Sequence, residues 1–89
     1  MTSNVPVPSA LDINDINASD KYTWFRSAWD NYFLAVDLDT KPETKQVAVL
    51  LSVIGEEARM VYSTFTWETA GDERRLAPVL EKFEAYCQQ

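Results

Sequence analysis

The sequence contains no histidine and a single cysteine, Cys87. The first absence removes the commonest general base and the commonest metal ligand. The second leaves no disulfide framework and no multi-cysteine zinc site. No apolar run approaches the roughly 18–20 residues of a membrane span, and no basic-then-apolar leader opens the chain, so no membrane association is expected. Basic residues are also scarce: 8 Lys and Arg stand against 14 Asp and Glu, a formal charge of −6. Nucleic-acid binding draws most of its affinity from basic side chains on phosphates, so this balance speaks against it. Acidity of this kind fits solubility and charge-patterned contact with other proteins. No stretch alternates with period two for long enough to make a strand, and there is no internal repeat.

What the 89 residues do contain is apolar surface: 46% are hydrophobic and 12% aromatic, enough for one small domain to fold unaided. A chain this short buries only about 60–65% of its unfolded surface, so each large apolar residue counts. Residues 1–19 alternate Val5 and Val7 with Pro6 and Pro8, then run into Asn/Asp-rich turns; they are expected to form an extended arm. Its Val5, Val7, Leu11, Ile13 and Ile16 are more apolar than a linker needs. The arm either pins one or two of them onto the domain or docks as an extended segment in a groove, its own or a neighbour's.

Residues 20–89 read as helices. Asp20 is a good N-cap, and Tyr22, Phe25, Ala28, Trp29, Tyr32, Phe33 and Val36 then recur at three- and four-residue steps. Lys21, Arg26, Asp30 and Asn31 take the other side, and Trp24 falls at the margin of the stripe. Thr40 and Glu43 have capping-box spacing for a second helix, with Pro42 in its first turn. Val47, Leu50, Leu51 and Ile54 form its core stripe, while Val49 and Val53 lie off centre, so this helix is either central or has a second face for a partner. Gly55 breaks it. Ala58, Val61, Tyr62 and Phe65 repeat at helical spacing in a third helix, beyond which "TWETAGDERR" is a polar loop turning at Gly71. A fourth begins near Leu76 to Pro78, since a proline deeper inside would break the ladder; Val79, Leu80, Phe83, Tyr86 and Cys87 face inward from it.

The adjacent Glu56 and Glu57 invite a catalytic reading. Two working carboxylates must face one substrate from about 5–9.5 Å and hold separated pKa values. Successive helical residues diverge by about 100°, so these two do not converge, and nothing completes a constellation. They fit better as the acidic first turn of a helix, where exposed amides favour negative charge. Cys87 has no histidine partner and sits on an apolar face, as a packed thiol does. No catalytic, metal-binding or cofactor-binding residue is expected, and the protein is not expected to be an enzyme.

The pieces "FRSAWDNYFLA", "KQVAVLLSVIGEEARMVYSTF" and "VLEKFEAYC" stand in an order and spacing that resembles the N-terminal half of the capsid region of Ty3/gypsy-type retrotransposon Gag polyproteins. The resemblance spans roughly Leu11 to Cys87, and its most specific part is the apolar helix running into "IGEEA". It implies a compact all-α lobe of four or five helices, with an arm before it, whose role is structural: homotypic assembly into shells. Domesticated host relatives of that family use the same lobe for capsids or for gripping short peptides in an apolar groove, which is the alternative role implied here. Where many members place a tryptophan early in the first helix, this chain has Tyr22. The family's second lobe and cysteine–histidine knuckle have no counterpart in these residues, so the chain is expected to be one lobe of a longer Gag or of a domesticated gene, without direct nucleic-acid binding. The expected location is cytoplasmic, within a virus-like particle if part of a full Gag. Candidate self-contact residues are Lys21, Arg26 and Asp30 on the first helix and Lys45, Val49 and Val53 on the second, together with Trp24 and Trp67, the aromatics the stripes explain least.

Overall fold

A computed structural model describes residues 5–88; residues 1–4 of the expected arm and residue 89 of the expected lobe lie outside them. Among the described residues there are four α-helices and no strand: α1 (Ala18–Ala35), α2 (Glu43–Ile54), α3 (Glu56–Tyr62) and α4 (Leu76–Cys87). Single 3-10 turns, Leu38–Thr40 and Asp72–Arg74, sit in the two longer connections. The fold is a small all-α bundle in which α4 packs against both α1 and α2.

The core follows the helical stripes. Tyr22, Phe25 and Trp29 enter it from α1, Val47, Leu50 and Ile54 from α2, Ala58 and Val61 from α3, and Val79, Leu80, Phe83 and Cys87 from α4. Fully burying one large side chain of this kind stabilises a fold by about 1.5–3 kcal/mol. Tyr32, Phe33, Leu51, Tyr62 and Phe65, expected in the core, are half-buried and pack against its edge. Tyr22 donates its hydroxyl hydrogen to the Leu80 carbonyl at 3.0 Å, so the ring fills apolar space while its polar end is satisfied.

The segment expected as an arm is partly built into this core. Leu11 and Ile13 are buried, and the Leu11 amide donates to the Ile54 carbonyl at 2.9 Å. That carbonyl is one of the four that the end of α2 leaves without an intrahelical partner. Arg59 Nη1 serves another, the Leu51 carbonyl, at 2.9 Å. Ile16, by contrast, is 97% exposed.

Three helix ends differ from expectation. α1 starts at Ala18, with Asn17 at the N-cap position and Asp20 already in the first turn, because the preceding turn feeds the helix directly through Ala18 N–H to Asp15 carbonyl and Lys21 N–H to Asn17 carbonyl. The Thr40–Glu43 capping box does not form. Thr40 Oγ1 donates back to the Asp37 carbonyl within the 3-10 turn, and α2 begins at Glu43 behind Pro42. Glu43 instead accepts the Leu76 amide, 3.1 Å away, and so caps α4. α3 stops at Tyr62, short of Phe65, where Ser63 and Thr64 turn their hydroxyls onto the Met60 and Val61 carbonyls. Pro78 lies in the first turn of α4, where no N–H is needed. The polar 66–75 loop carries the second 3-10 turn after Gly71, whose φ of +97° is left-handed.

Among residues 20–88 two buried residues escaped the helical patterns, as Pro8 and Ala18 did before them. Leu38 sits on the connection after α1, and Gln46 is a polar residue inside α2. Gln46 Nε2 donates to the Leu38 and Lys41 carbonyls at 2.9 and 3.1 Å, tying that connection to the helix it precedes.

Candidate interaction surface

α1 has two faces because it has two seams. The inward seam is Tyr22, Phe25 and Trp29. Turned away from it are Trp24, Ala28, Asn31 and Ala35, spaced four, three and four residues apart, which keeps them in one line along a helix. All but the half-buried inner neighbours of this line are exposed, and Trp24 is 77% exposed. Ala28, expected on the core stripe, belongs to this outer seam: the rings of Phe25 and Trp29 on either side reach the core and leave the small residue outside.

The extended segment runs beside the outer seam and makes two grooves with it. One, of about 410 Å³, is lined by Lys21, Trp24, Phe25 and Ala28 with residues 9–12. The other, of about 350 Å³, is lined by Ala28, Asn31, Tyr32 and Ala35 with residues 5–9. Both share Ser9 and Ala28, so they form a continuous depression. Lys21 Nζ lies 3.7 Å from Asp12 and 3.4 Å from Asp15, holding the segment to the first turn of α1. Asp15 also accepts the Asn17 amide at 2.7 Å. That backbone hydrogen bond first, and Lys21 second, keep its carboxyl below the ordinary aspartate range.

The remaining expected contact residues are scattered. Arg26 and Asp30 pair with each other along α1 at 3.1 Å, an arrangement worth a few tenths of a kcal/mol, about 0.3–0.5. Lys45 is exposed on α2, but Val49 and Val53 are half-buried against the core rather than on a free outer face, because α2 is flanked by α3, α4 and the Asp72–Arg74 turn. Trp67 has partners within the chain. Its ring lies 5.9 Å from those of Tyr62 and Phe65, Phe65 meets Phe83 at 5.3 Å, and Lys82 Nζ stands 5.9 Å above the Trp67 ring. The cleft beside it, about 420 Å³, is edged by Glu68, Asp72 and Glu81. Sequence reasoning missed Leu34 and Ala35 as exposed positions of α1; the 4-3-4 spacing from Trp24 is the signal that finds Ala35.

Glu56 and Glu57 are both exposed at the start of α3, and Glu57 accepts the Asn14 amide at 3.4 Å. The second carboxylate thus faces the extended segment instead of sharing a site with the first. Cys87 is buried, and burial pushes its thiol above the ordinary range, which leaves little of the reactive thiolate. Against known proteins, no family model, no curated protein and no solved structure matches this chain.

Proposed function

We propose that this domain is a structural, non-enzymatic module that assembles with copies of itself, as the N-terminal capsid lobe of a Ty3/gypsy-type Gag would. The supporting observation is the outer seam of α1: an exposed tryptophan on an uncharged helix face beside an open groove, on an all-helical lobe. Tryptophan is enriched where proteins meet, and a rimmed apolar surface marks such places. The order of the quoted sequence pieces supplies the family side of the reading, along with a cytoplasmic particle as its setting. Sedimentation velocity on the full chain tests it. The weight-average mass should climb with concentration up to about 1 mM, where contacts near −4 kcal/mol become visible. A chain that stays monomeric at that concentration overturns the proposal.

A second reading is favoured by the groove between α1 and residues 5–9. In a domesticated adaptor, that groove would hold a short apolar peptide of another protein. Truncation after Ser9, which leaves Leu11 and Ile13 in place, should then open the groove and strengthen binding of an apolar peptide. Unchanged binding would remove this reading.

A further inference from the structure

We infer that residues 8–14 and α3 open together as one latched unit, in which the strap of residues 8–14 holds α3 against a core that α1, α2 and α4 complete without it. α3 is the helix least able to stand alone. It has seven residues and no side-chain cap, and isolated helices shorter than about 12–15 residues are marginal in water. Among the described residues its one substantial helix neighbour is α2, to which Gly55 joins it directly, whereas α4 packs on both α1 and α2.

The strap supplies what the other helices do not. Ala10 packs against Gly55, and the Leu11 amide bonds the Ile54 carbonyl, so the strap is fastened across the α2–α3 junction. At the end of the strap the Asn14 amide reaches Glu57 on α3, and the Asn14 side chain accepts the Tyr86 hydroxyl of α4 at 2.8 Å. Asn14 thereby bridges α3 to α4 at the edge of a cavity of about 290 Å³, whose other walls are Glu57, Met60, Val61, Thr64 and Tyr86.

Two further ties belong to α3 itself. Arg59 reaches the Leu51 carbonyl across the junction, and Tyr62 donates to the Glu73 carbonyl and stacks on Phe83 with ring centroids 6.3 Å apart. The first is exposed and the second acts at the last residue of the helix. With the strap gone, so short a helix keeps too few contacts to persist. The remainder can stay folded: Trp29, Leu50, Val79 and Phe83, each at most 1% exposed, come from α1, α2 and α4. Proteins open locally in cooperative units whose cost lies below that of global unfolding. This opening uncovers Leu11, Ile13, Ile54, Ala58 and Val61, all buried in the closed form. The coupling is reciprocal: whatever engages residues 8–14 loosens α3, and whatever holds α3 keeps the strap seated.

Hydrogen exchange of the full chain in sub-denaturing urea, read by NMR, tests the unit. The amides of Leu11, Arg59 and Ser63, bonded to the Ile54, Gly55 and Arg59 carbonyls, should exchange through one opening with a common urea dependence. That opening should occur at least tenfold more often than the one that frees the amides of Trp29 and Phe83. Met60→Gly then tests the coupling. Met60 is 63% exposed, so the change spares the core while weakening the helix, and it should speed exchange at the Leu11 amide about threefold to fivefold. An unchanged Leu11 amide in that variant, or different openings for Leu11 and Arg59, means that strap and helix open independently. Exchange of all these amides in a single step with Trp29 and Phe83 means that no separate unit exists. Either result overturns the inference.

Discussion

Gly55 and Ala10 touch so closely that a Cβ added to the glycine would stand 2.8 Å from the Ala10 Cβ. Gly55 also has φ +101°, a backbone region other residues rarely enter. Gly55→Ala should therefore destabilise the domain for two separable reasons, by about 1–3 kcal/mol for the backbone alone. Urea denaturation followed by tryptophan fluorescence measures the total. Adding Ala10→Gly should recover only the steric share; full recovery would mean that the backbone conformation carries no strain.

Ile13 and Ile16 stand three residues apart in the segment before α1, 1% and 97% exposed. Ile13→Ala should cost about 2–5 kcal/mol, as buried truncations do, and Ile16→Ala less than about 0.5. Thermal melts of the two variants compare them directly. Equal effects would mean that the segment does not pack as described.

Glu43 caps a helix other than its own. Glu43→Ala should loosen the first turn of α4 by about 0.5–2 kcal/mol, with faster hydrogen exchange at the Leu76 amide. Thr40→Ala, which removes only a bond inside a turn, should leave that amide unchanged. If both variants change it alike, the capping assignment is wrong.

Stability should fall on the alkaline side. Burial raises the Tyr22 hydroxyl above its ordinary 10.0, partly offset by nearby Arg26, and burial likewise raises Tyr62 above 10.0 and Cys87 above 9.0. Above these ordinary values the unfolded chain releases protons that the folded chain still holds, so stability is full below about pH 9 and declines as pH rises through the folded values. Urea midpoints between pH 7 and 11 follow the loss. Tyr22→Phe should flatten part of the slope while lowering the plateau by the lost hydrogen bond; an unchanged slope would remove Tyr22 from this account.

The four helices are legible in the sequence because each buries a face with 3.6-residue spacing, and Gly55 is legible as the break between α2 and α3. The helix ends are less so. Asn17, Thr40 and Glu43 all carry side chains suited to caps, and which one caps what depends on a neighbour brought in by the fold, as Leu76 is to Glu43. Leu11 and Ile13 lie on a segment without periodicity, so nothing local marks them as core while Ile16 is not. On α1 the wide aromatic stripe absorbs Ala28, and the outer seam emerges only once Phe25 and Trp29 are seen to fill the interior. Trp67 looked unpartnered because its partners, Tyr62, Phe65 and Lys82, come from three different elements.

The docking of residues 8–14 has a consequence for how the chain matures during synthesis. Leu11 waits for Ile54 and Asn14 for the hydroxyl of Tyr86, 2.8 Å away in the finished fold. At about 5–20 residues per second, the ribosome adds Tyr86 roughly 4–15 s after Leu11. For that interval the apolar side chains of this segment wait for the last of the helices that complete their setting. Leu11 and Ile13 are then free to meet any apolar surface nearby, including the corresponding segment of a chain emerging from the next ribosome on the same message.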